Sequence, residues 1–368
     1  MRLYTFIMIL SVLVIGCESN SNVSDVSNYD QNYDLSISPT KWYNGHSGTV
    51  TVTYDIPWSD NPLVEMAVSE IEKRNLTMDF ELVTQPFSQD YLRKFVVEMA
   101  TILPKRGIHV FGHGHTHINH DEVSFDEAYN SFKTCYDLMT QWGLNPKAYA
   151  YPGGRGKLPS TQLANKLAGF ICARGAVNDS KLAYMCVEDE MIPENWYYLQ
   201  AVNVGTDNPI QIENHSEMEP ILESTINKRA WVILMYHSIG NDKGYSYYPT
   251  AEFLKDLDFI KDNDLWCGNM DQVALYIYER SNFEYNLEFE SSDNSEVHYE
   301  ITISDNLDNK IYDQELTLEL GLKKFQEFES LSFYLNDSLV CQKIIDKEFT
   351  LVNLIPDENT YSLILKKK

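Results

Sequence analysis

Histidine is unusually concentrated in one part of this sequence, where four of the nine histidines fall in one short stretch. These four residues are His113, His115, His117 and His120. A neutral imidazole binds a divalent cation through a ring nitrogen, and two such residues four positions apart can converge on one ion. The spacing of His113 and His117 therefore predicts a metal-binding pair. The alternative is a polar surface loop whose histidines share no role.

The residues on either side of the histidines predict a loop between a strand and a helix. Ile108, Val110 and Phe111 form an apolar run that is typical of a short buried strand. Ser124 and Glu127 have the spacing of a capping box, which begins a helix. Because α/β folds carry much of their chemistry on such loops, this position supports the metal-binding interpretation.

Three further positions with chemical potential follow predicted strands. Asp55 ends an alternating strand pattern, Gly153 lies in a turn after another strand, and His237 ends a nearly all-apolar strand. The carboxyl ends of parallel strands meet on one face of a barrel. We therefore expect an acid, a histidine pair, a glycine turn and a single histidine to converge there.

The composition limits the class of protein. The chain has 29 Lys and Arg against 54 Asp and Glu, a net charge of −25, so it repels phosphate backbones and we expect no nucleic-acid partner. Its 368 residues, 43% of them hydrophobic, are enough for about two domains with buried cores. The 24 Tyr and six Trp suit stacking against sugar faces as well as core packing.

The N-terminus resembles the signal peptide of a bacterial lipoprotein. An apolar run over residues 6–15 is too short to span a bilayer and has the form of a signal-peptide core. Val14-Ile15-Gly16-Cys17 resembles a lipobox, which implies that Cys17 is lipidated. We therefore expect a signal peptide over 1–17, attachment to a membrane through the lipid, and a location in the bacterial cell envelope, at the outer membrane or cell surface. The alternative is an ordinary signal peptide that is cleaved elsewhere.

The rest of the sequence predicts a tether and two domains. Residues 18–40 are rich in Ser, Asn, Asp and Tyr, which indicates a flexible tether. Residues 41–280 alternate strand and helix patterns, which favours a parallel α/β barrel or a doubly wound sheet. Residues 281–368 contain alternating strand-like runs, which predict a small all-β, sandwich-like accessory domain.

Four segments at predicted strand ends resemble, in order, the motifs of the polysaccharide deacetylases of carbohydrate esterase family 4, which have the NodB homology fold. These segments are Thr53-Tyr54-Asp55, the pair His113 and His117, Ala150-Tyr151-Pro152-Gly153, and Leu234-Met235-Tyr236-His237. The resemblance covers residues 41–280. It implies a distorted (β/α) barrel of the NodB-homology type.

The resemblance also implies a role for each of these residues. His113 and His117 would bind a divalent metal, most often Zn²⁺, which polarises an acetyl carbonyl and lowers the pKa of a bound water towards about 7. Asp55 would be the general base and His237 the general acid. The backbone N–H of Gly153 would help to hold the oxyanion.

Three neighbouring residues are expected to bind the substrate. Tyr151 and Pro152 belong to the third motif, and Trp58 follows the first motif closely enough to form a wall on which a sugar stacks. A packing role is an equally good interpretation for Trp58.

The first motif departs from the family pattern at its second Asp, which is the third metal ligand and is replaced here by Ile56. An isoleucine cannot coordinate a cation, and a catalytic zinc normally has three protein ligands. We expect Asp60, on the following loop, to supply the missing carboxylate. The alternative is that Asp55 rotates to coordinate the ion, which would slow turnover.

The third and fourth motifs also depart from the pattern. The Arg that usually orients the base is Ala150, and Arg155 or Arg174 is expected to substitute for it. The fourth motif pairs an acid with a Trp that tunes the acid histidine. The candidates for it are Trp196, Glu194 and Asp189.

Together these features predict an enzyme that hydrolyses acetyl groups from an acetylated polysaccharide with the help of a divalent metal. The main alternative is a catalytically degenerate protein of the same fold that binds glycans, which the Ile56 substitution favours. A more remote interpretation is an unrelated metal-dependent hydrolase on the same kind of barrel.

Overall fold

The structure, a computed structural model, describes residues 33–176, 184–206 and 212–368. Cys17, the expected signal peptide over 1–17 and most of the expected tether lie outside these ranges. Within them, no helix is long and apolar enough to cross a membrane. The described chain forms a parallel barrel and two antiparallel sheets, one of three strands and one of five.

Seven parallel strands form a closed barrel. They are preceded in the sequence by β1 (Leu35–Pro39), which belongs to one of the antiparallel sheets. The barrel strands are β2 (Gly48–Tyr54), β3 (Met78–Leu82), β4 (Ile108–Gly112), β5 (Ala148–Ala150), β6 (Cys172–Ala176), β7 (Leu199–Asn203) and β8 (Trp231–Tyr236). β8 pairs with β2 from Thr49↔Trp231 to Tyr54↔Tyr236, which closes the ring. The predicted (β/α) barrel is confirmed, because a doubly wound sheet would have two open edges.

The barrel is distorted where β2 meets β3. After a short parallel pair, β9 (Ser238–Ile239) and β10 (Tyr247–Tyr248), the strand β11 (Leu265–Cys267) runs parallel to the first residues of β2. β3 therefore pairs with β2 only at Thr53 and Tyr54. This eighth parallel strand enters the ring at its amino end and leaves the carboxyl end closed.

Helices connect the barrel strands, and capping residues fix where they begin. The helices are α1 (Pro62–Arg74), α2 (Thr84–Phe87), α3 (Arg93–Thr101), α4 (Phe125–Gln141), α5 (Pro159–Ala168), α6 (His215–Asn227), α7 (Thr250–Asp262) and α8 (Met270–Asn282). Asn61 caps α1, and Ser124 with Glu127 forms the expected capping box of α4. These caps terminate the loops that follow β2 and β4, which are the first two loops of the candidate site.

Side chains alternate between the barrel lumen and the helices. In β2 and β8 the odd-numbered residues face the lumen, where the Trp231 indole donates to the Thr51 hydroxyl at 3.1 Å. The even-numbered residues of the same two strands, such as Val52, pack in the cluster formed with α1 and α7. Because this alternation carries on to the strand ends, Asp55 and His237 are aimed at the mouth of the lumen.

The C-terminal residues form two antiparallel sheets, as expected for an all-β, sandwich-like domain. The strands are β12 (Glu284–Ser292), β13 (Glu296–Ser304), β14 (Leu316–Leu322), β15 (Phe328–Leu335), β16 (Ser338–Ile344), β17 (Phe349–Leu354) and β18 (Asp357–Lys367). Five of them form one sheet in the order β12-β13-β18-β15-β16, and the second sheet has the order β1-β14-β17.

The strand β1 differs from the expectation of a flexible tether over 18–40. Leu35–Pro39 pairs with β14, from Leu35↔Leu322 to Pro39↔Leu318. Ile37 is buried in the core between the sheets. The segment before the barrel therefore contributes an ordered strand to the C-terminal domain, a pairing across nearly the whole sequence that local composition does not reveal.

Candidate active site

Three polar side chains meet at the carboxyl end of the barrel. Asp55 follows β2, His113 follows β4 and His237 follows β8. The Asp55 carboxylate lies between the two rings, with Oδ1 3.6 Å from His113 Nε2 and Oδ2 3.3 Å from His237 Nε2. The structure thus brings together three residues that are far apart in the sequence, as the strand-end positions predicted.

The hydrogen bond of His113 to the backbone fixes the tautomer of its ring. His113 Nδ1 lies 2.9 Å from the carbonyl oxygen of Ala150, which can only accept, so Nδ1 carries the proton. In the neutral ring, Nε2 then presents a lone pair towards the Asp55 carboxylate. Nε2 is buried and has no hydrogen-bond partner among the described residues. Two acceptors that face each other in this way call for a cation or a proton between them.

The electrostatic surroundings keep Asp55 ionised. Burial opposes the charge, but His113, the hydrogen bond from His237 and the Arg174 guanidinium together hold the pKa of Asp55 well below its usual range. A carboxylate that is always charged is a good cation ligand and a weak proton acceptor. Asp55 is therefore better suited to hold a cation than to act as the only base.

His117 lies beside His113 on the loop after β4. The two ring centroids are 4.9 Å apart in an edge-to-face arrangement. Burial and the neighbouring His113 lower the pKa of His117, which favours the neutral form that binds metals. The expected histidine pair is therefore assembled at the mouth of the barrel.

The other two histidines of the loop have structural contacts. His115 Nδ1 lies 3.1 Å from the Thr84 hydroxyl. His120 is buried, stacks on Phe132 at 4.3 Å and lies 3.0 Å from the Ser131 hydroxyl through Nε2. Burial lowers the pKa of His120 to about 4, so it is a neutral core residue at physiological pH.

A cavity of about 270 Å³ opens above these residues. Its lining residues are Asp55, His117, Tyr151, Gly153, Gly154, Arg174, Ala176, Asn203, Met235, His237 and Tyr245. Gly153 adopts a positive φ of 63°, which glycine tolerates best and which turns the backbone at the cavity wall. Pro152 is buried beneath it. The third predicted motif therefore contributes Tyr151 and Gly153 to the wall, with Pro152 as support.

Three residues of the first predicted loop lie away from the cavity. Asp60, expected as third metal ligand, forms a surface ion pair with Lys94 at 2.6 Å and is 78% exposed. Trp58, expected as a sugar wall, is buried and donates its indole N–H to Glu98. Ile56 packs against the cluster outside the barrel. The loop turns outward towards α1, so nearness in sequence did not bring these side chains to the site.

Two site residues were missed or only half identified from the sequence. Glu81 on β3 is fully buried and was not expected, and Arg174 on β6 was one of two candidates for the missing arginine. Arg174 donates to Glu81, while the other candidate, Arg155, lies at the surface near Glu122. The alternation of acids with apolar residues in Met78–Leu82 was the available signal, since the acids occupy the lumen side.

An aromatic residue that the sequence did not single out stands at the cavity rim. Tyr245 is 57% exposed, and its ring centroid lies 5.0 Å from that of His237. The expected fourth-motif residue Trp196 instead stacks on Tyr278 of α8 at 4.0 Å. Glu194 and Asp189 are exposed and do not line this cavity.

The residues present fit a divalent cation. Asp55, Glu81 and His113 offer ligand atoms that lie within 4.8 Å of one another, and His117 adjoins them. The unpartnered His113 Nε2 and the ionised Asp55 are the donor types that Zn²⁺ prefers. Asp55, His113 and His117 would hold such an ion, with the cavity open on its outer side.

Comparisons with known proteins give a likeness in solved structures only. No family model and no curated protein sequence matches the chain. A protein described as a candidate polysaccharide deacetylase from Mycobacterium smegmatis is 12% identical, with a TM-score of 0.46 over 66% of this chain and 94% of that one. A family 4 carbohydrate esterase from Streptomyces lividans is 12% identical, with a TM-score of 0.38 over 62% and 94%. A CE4 family pseudoenzyme from Bacillus anthracis is 12% identical, with a TM-score of 0.40 over 62% and 65%.

Proposed function

We propose that this protein is a metal-dependent deacetylase of the carbohydrate esterase family 4 type, which removes acetyl groups from an acetylated polysaccharide. One observation carries the proposal: the Asp55 carboxylate lies between His113 Nε2 and His237 Nε2 at the floor of an open cavity. His113 is a cation ligand, His237 can carry a proton, and Asp55 lies between them. Metal-assisted hydrolysis of an amide or ester needs groups of these kinds.

The reaction assigns a distinct task to each side chain. When bound, a divalent ion such as Zn²⁺ would polarise the acetyl carbonyl and acidify a water molecule. His237 lies on the other side of Asp55 and would deliver a proton to the departing sugar nitrogen or oxygen. The turn at Gly153 brings a backbone N–H to the cavity wall, where it would face the oxyanion. Tyr245 offers an exposed aromatic face for a sugar ring, the task first expected of Trp58.

A second candidate function is glycan binding without turnover. The observation that favours it is that one carboxylate must serve two tasks, because Ile56 packs outside the barrel and Asp60 is at the surface. Among the residues that the structure describes, Asp55 is the carboxylate that lines the cavity, and its pKa is low. If Asp55 holds the ion, no second carboxylate among those described residues is at the cavity to act as the general base.

Acetate release by the full chain separates the two functions. The purified protein is incubated with Zn²⁺ and either N-acetylated chitooligosaccharide or O-acetylated xylan. We expect slow release that falls at least about 100-fold in Asp55→Asn and His237→Gln, the size typical for loss of such groups. Asp60→Ala is the matched control and should release acetate at the wild-type rate. Glycan binding with no acetate from the wild-type protein would favour the binder instead.

We also propose that the protein is anchored to the bacterial cell envelope by a lipid on Cys17. The support is the Val14-Ile15-Gly16-Cys17 sequence after a short apolar run. Expressed in a bacterium with a labelled fatty acid, the wild-type chain should carry the label and partition into detergent. Cys17→Ser should do neither, and equal labelling of that variant would contradict the proposal.

A further inference from the structure

A buried ion pair crosses the barrel lumen directly beneath the site. Glu81 comes from β3 and Arg174 from β6, three strands further around the ring. Arg174 donates to Glu81 Oε1 through Nη2 and, at 3.2 Å, through Nε. Their side chains are 0% and 1% exposed, so both charges are removed from bulk water.

Stability alone does not account for this pair. Removing two charged groups from water costs several kcal/mol for each, and apolar residues of similar volume are often as stabilising or more so. Other lumen positions of the same barrel are filled by apolar residues such as Ala150 and Ile233. We therefore expect the charged pair to make a contact with a neighbouring polar residue that apolar side chains could not make.

That contact is with His113. Glu81 Oε2, the oxygen that Arg174 leaves unused, is buried and has no hydrogen-bond partner among the described residues. It lies 3.4 Å from His113 Nδ1, which already carries a proton directed at the Ala150 carbonyl. Nδ1–H therefore donates to a neutral carbonyl with a charged carboxylate oxygen close beside it, and the lone pair of Nε2 is left for the side that faces Asp55.

We propose that Glu81 and Arg174 are positioning residues that hold His113 as a cation ligand. Arg174 fixes the rotamer of Glu81, and Glu81 fixes the ring plane and tautomer of His113. A carboxylate behind a ligating imidazole also raises the basicity of the nitrogen that binds the ion, and loss of such a partner typically weakens metal binding about 10- to 100-fold. The metal-binding role of His113 rests on the proposed function, whereas the orientation of its ring does not.

The test replaces the pair without leaving an unpaired charge. In the full chain, Glu81→Leu is combined with Arg174→Met, which conserves volume and should keep the thermal unfolding midpoint at or above that of the wild type. Asp79→Asn is the matched control, because Asp79 is another buried carboxylate on the same face of β3. Zn²⁺ affinity is measured by competition with a chromophoric chelator. The His113 Nδ1–H signal is followed by NMR in the metal-free protein and assigned with His113→Gln.

We expect the folded double variant to bind Zn²⁺ about 10- to 100-fold more weakly and to show a shifted His113 Nδ1–H signal, while Asp79→Asn changes neither. A folded double variant with wild-type affinity would overturn the proposal. If the wild-type protein bound no Zn²⁺, the metal centre of the proposed function would fail and the His113 signal alone would decide. An unchanged signal in the double variant would overturn the positioning role, and a shifted signal would support it.

Discussion

The barrel contains two clusters of histidine and acid residues, one at each end, and they differ in how their polar atoms are satisfied. β3 contributes Asp79 to the amino end and Glu81 to the carboxyl end, and beside it β4 contributes His109 to the amino end and is followed by His113 at the carboxyl end. At the amino end, Asp79, His109 and Asp271 also offer ligand atoms within 4.8 Å of one another. Composition and spacing alone therefore do not separate the two clusters.

Every carboxylate oxygen of the amino-end cluster has a protein donor. Asp79 accepts from the Asn269 side chain at 2.7 Å and from the Met270 backbone N–H at 2.8 Å, at the start of α8. Both oxygens of Asp271 lie within 3.0 Å of His109 Nδ1. This cluster joins two strands to the first turn of a helix, and each of its carboxylate oxygens already accepts from a protein donor.

In the carboxyl-end cluster several buried polar atoms lack a hydrogen-bond partner within the described part of the chain. Among the described residues, Glu81 Oε2, His113 Nε2 and His237 Nδ1 are buried without hydrogen-bond partners. Unmade hydrogen bonds in the interior cost stability, and such costs are typical of functional sites. The comparison teaches that the saturated cluster stabilises the fold, while the unsaturated one is prepared to bind something else.

The largest expected effect separates the clusters by metal content. His113→Ala and His117→Ala each remove one ligand and should weaken Zn²⁺ binding more than about 100-fold. His109→Ala should leave the affinity unchanged, because His109 lies at the other end of the barrel. Elemental analysis of the dialysed full chain and chelator competition measure this. Equal metal loss in His109→Ala and His113→Ala would remove the distinction between the clusters.

Stability should respond in the opposite way. His109→Ala leaves the partly buried Asp271 without its charged partner, and leaving such a group unsatisfied costs about 1–3 kcal/mol. His113→Ala removes one neutral hydrogen bond, to the Ala150 carbonyl, together with an Nε2 that has no partner among the described residues, so the free energy of unfolding should fall by less than in His109→Ala. Urea unfolding of the metal-free proteins measures both. A greater loss in His113→Ala would contradict the assignment of the structural role.

The pH dependence of folding should come in part from the amino-end cluster. Burial lowers the pKa of His109, and so, to a smaller extent, does the charge of Lys147. The carboxylates of Asp271 and Asp79 outweigh both effects and raise the pKa to about 9. Since the folded pKa exceeds the ordinary value of 6.5, this stabilisation is complete below about pH 6.5 and is lost as the pH rises through about 9. Unfolding midpoints from pH 6 to 10 should fall more steeply in the wild type than in His109→Leu. His298→Gln, which changes a partly exposed histidine, should keep the wild-type slope.

The smallest effects are expected in the loop after β2. Ile56→Asp places a charge against an apolar cluster outside the barrel, so we expect a loss of about 1–3 kcal/mol and no gain in Zn²⁺ affinity. Asp60→Ala removes an exposed ion pair and should change stability by less than about 1 kcal/mol. A tenfold gain in affinity for Ile56→Asp, measured with the same chelator, would show that the loop can reach the site.

Residues at strand ends could be predicted from the sequence because their positions follow from local patterns. The alternation in β2 and the apolar run of β8 fix where each strand stops, and the barrel brings those ends together. Asp55, His113, His117 and His237 were identified in this way. Gly153 was identified from the turn that follows β5.

Contacts between distant segments could not be predicted in the same way. Glu81 and Arg174 are 93 positions apart, and only the closed ring places them on facing sides of one lumen. Asp60 was chosen because it is near Asp55 in sequence, but its loop leaves the barrel for α1. β1 was assigned to the tether from its composition, and its pairing could not be seen because its partner, β14, begins 277 residues after the end of β1.

The most direct test of the central claim is to locate a bound metal by diffraction. Crystals of the full chain grown with Zn²⁺ would be measured on both sides of the zinc absorption edge. The account predicts one anomalous peak at the carboxyl end, about 2.0–2.2 Å from Asp55, His113 Nε2 and His117, the usual distances for oxygen and nitrogen ligands. A peak at Asp79, His109 and Asp271, or no peak at the carboxyl end, would contradict it.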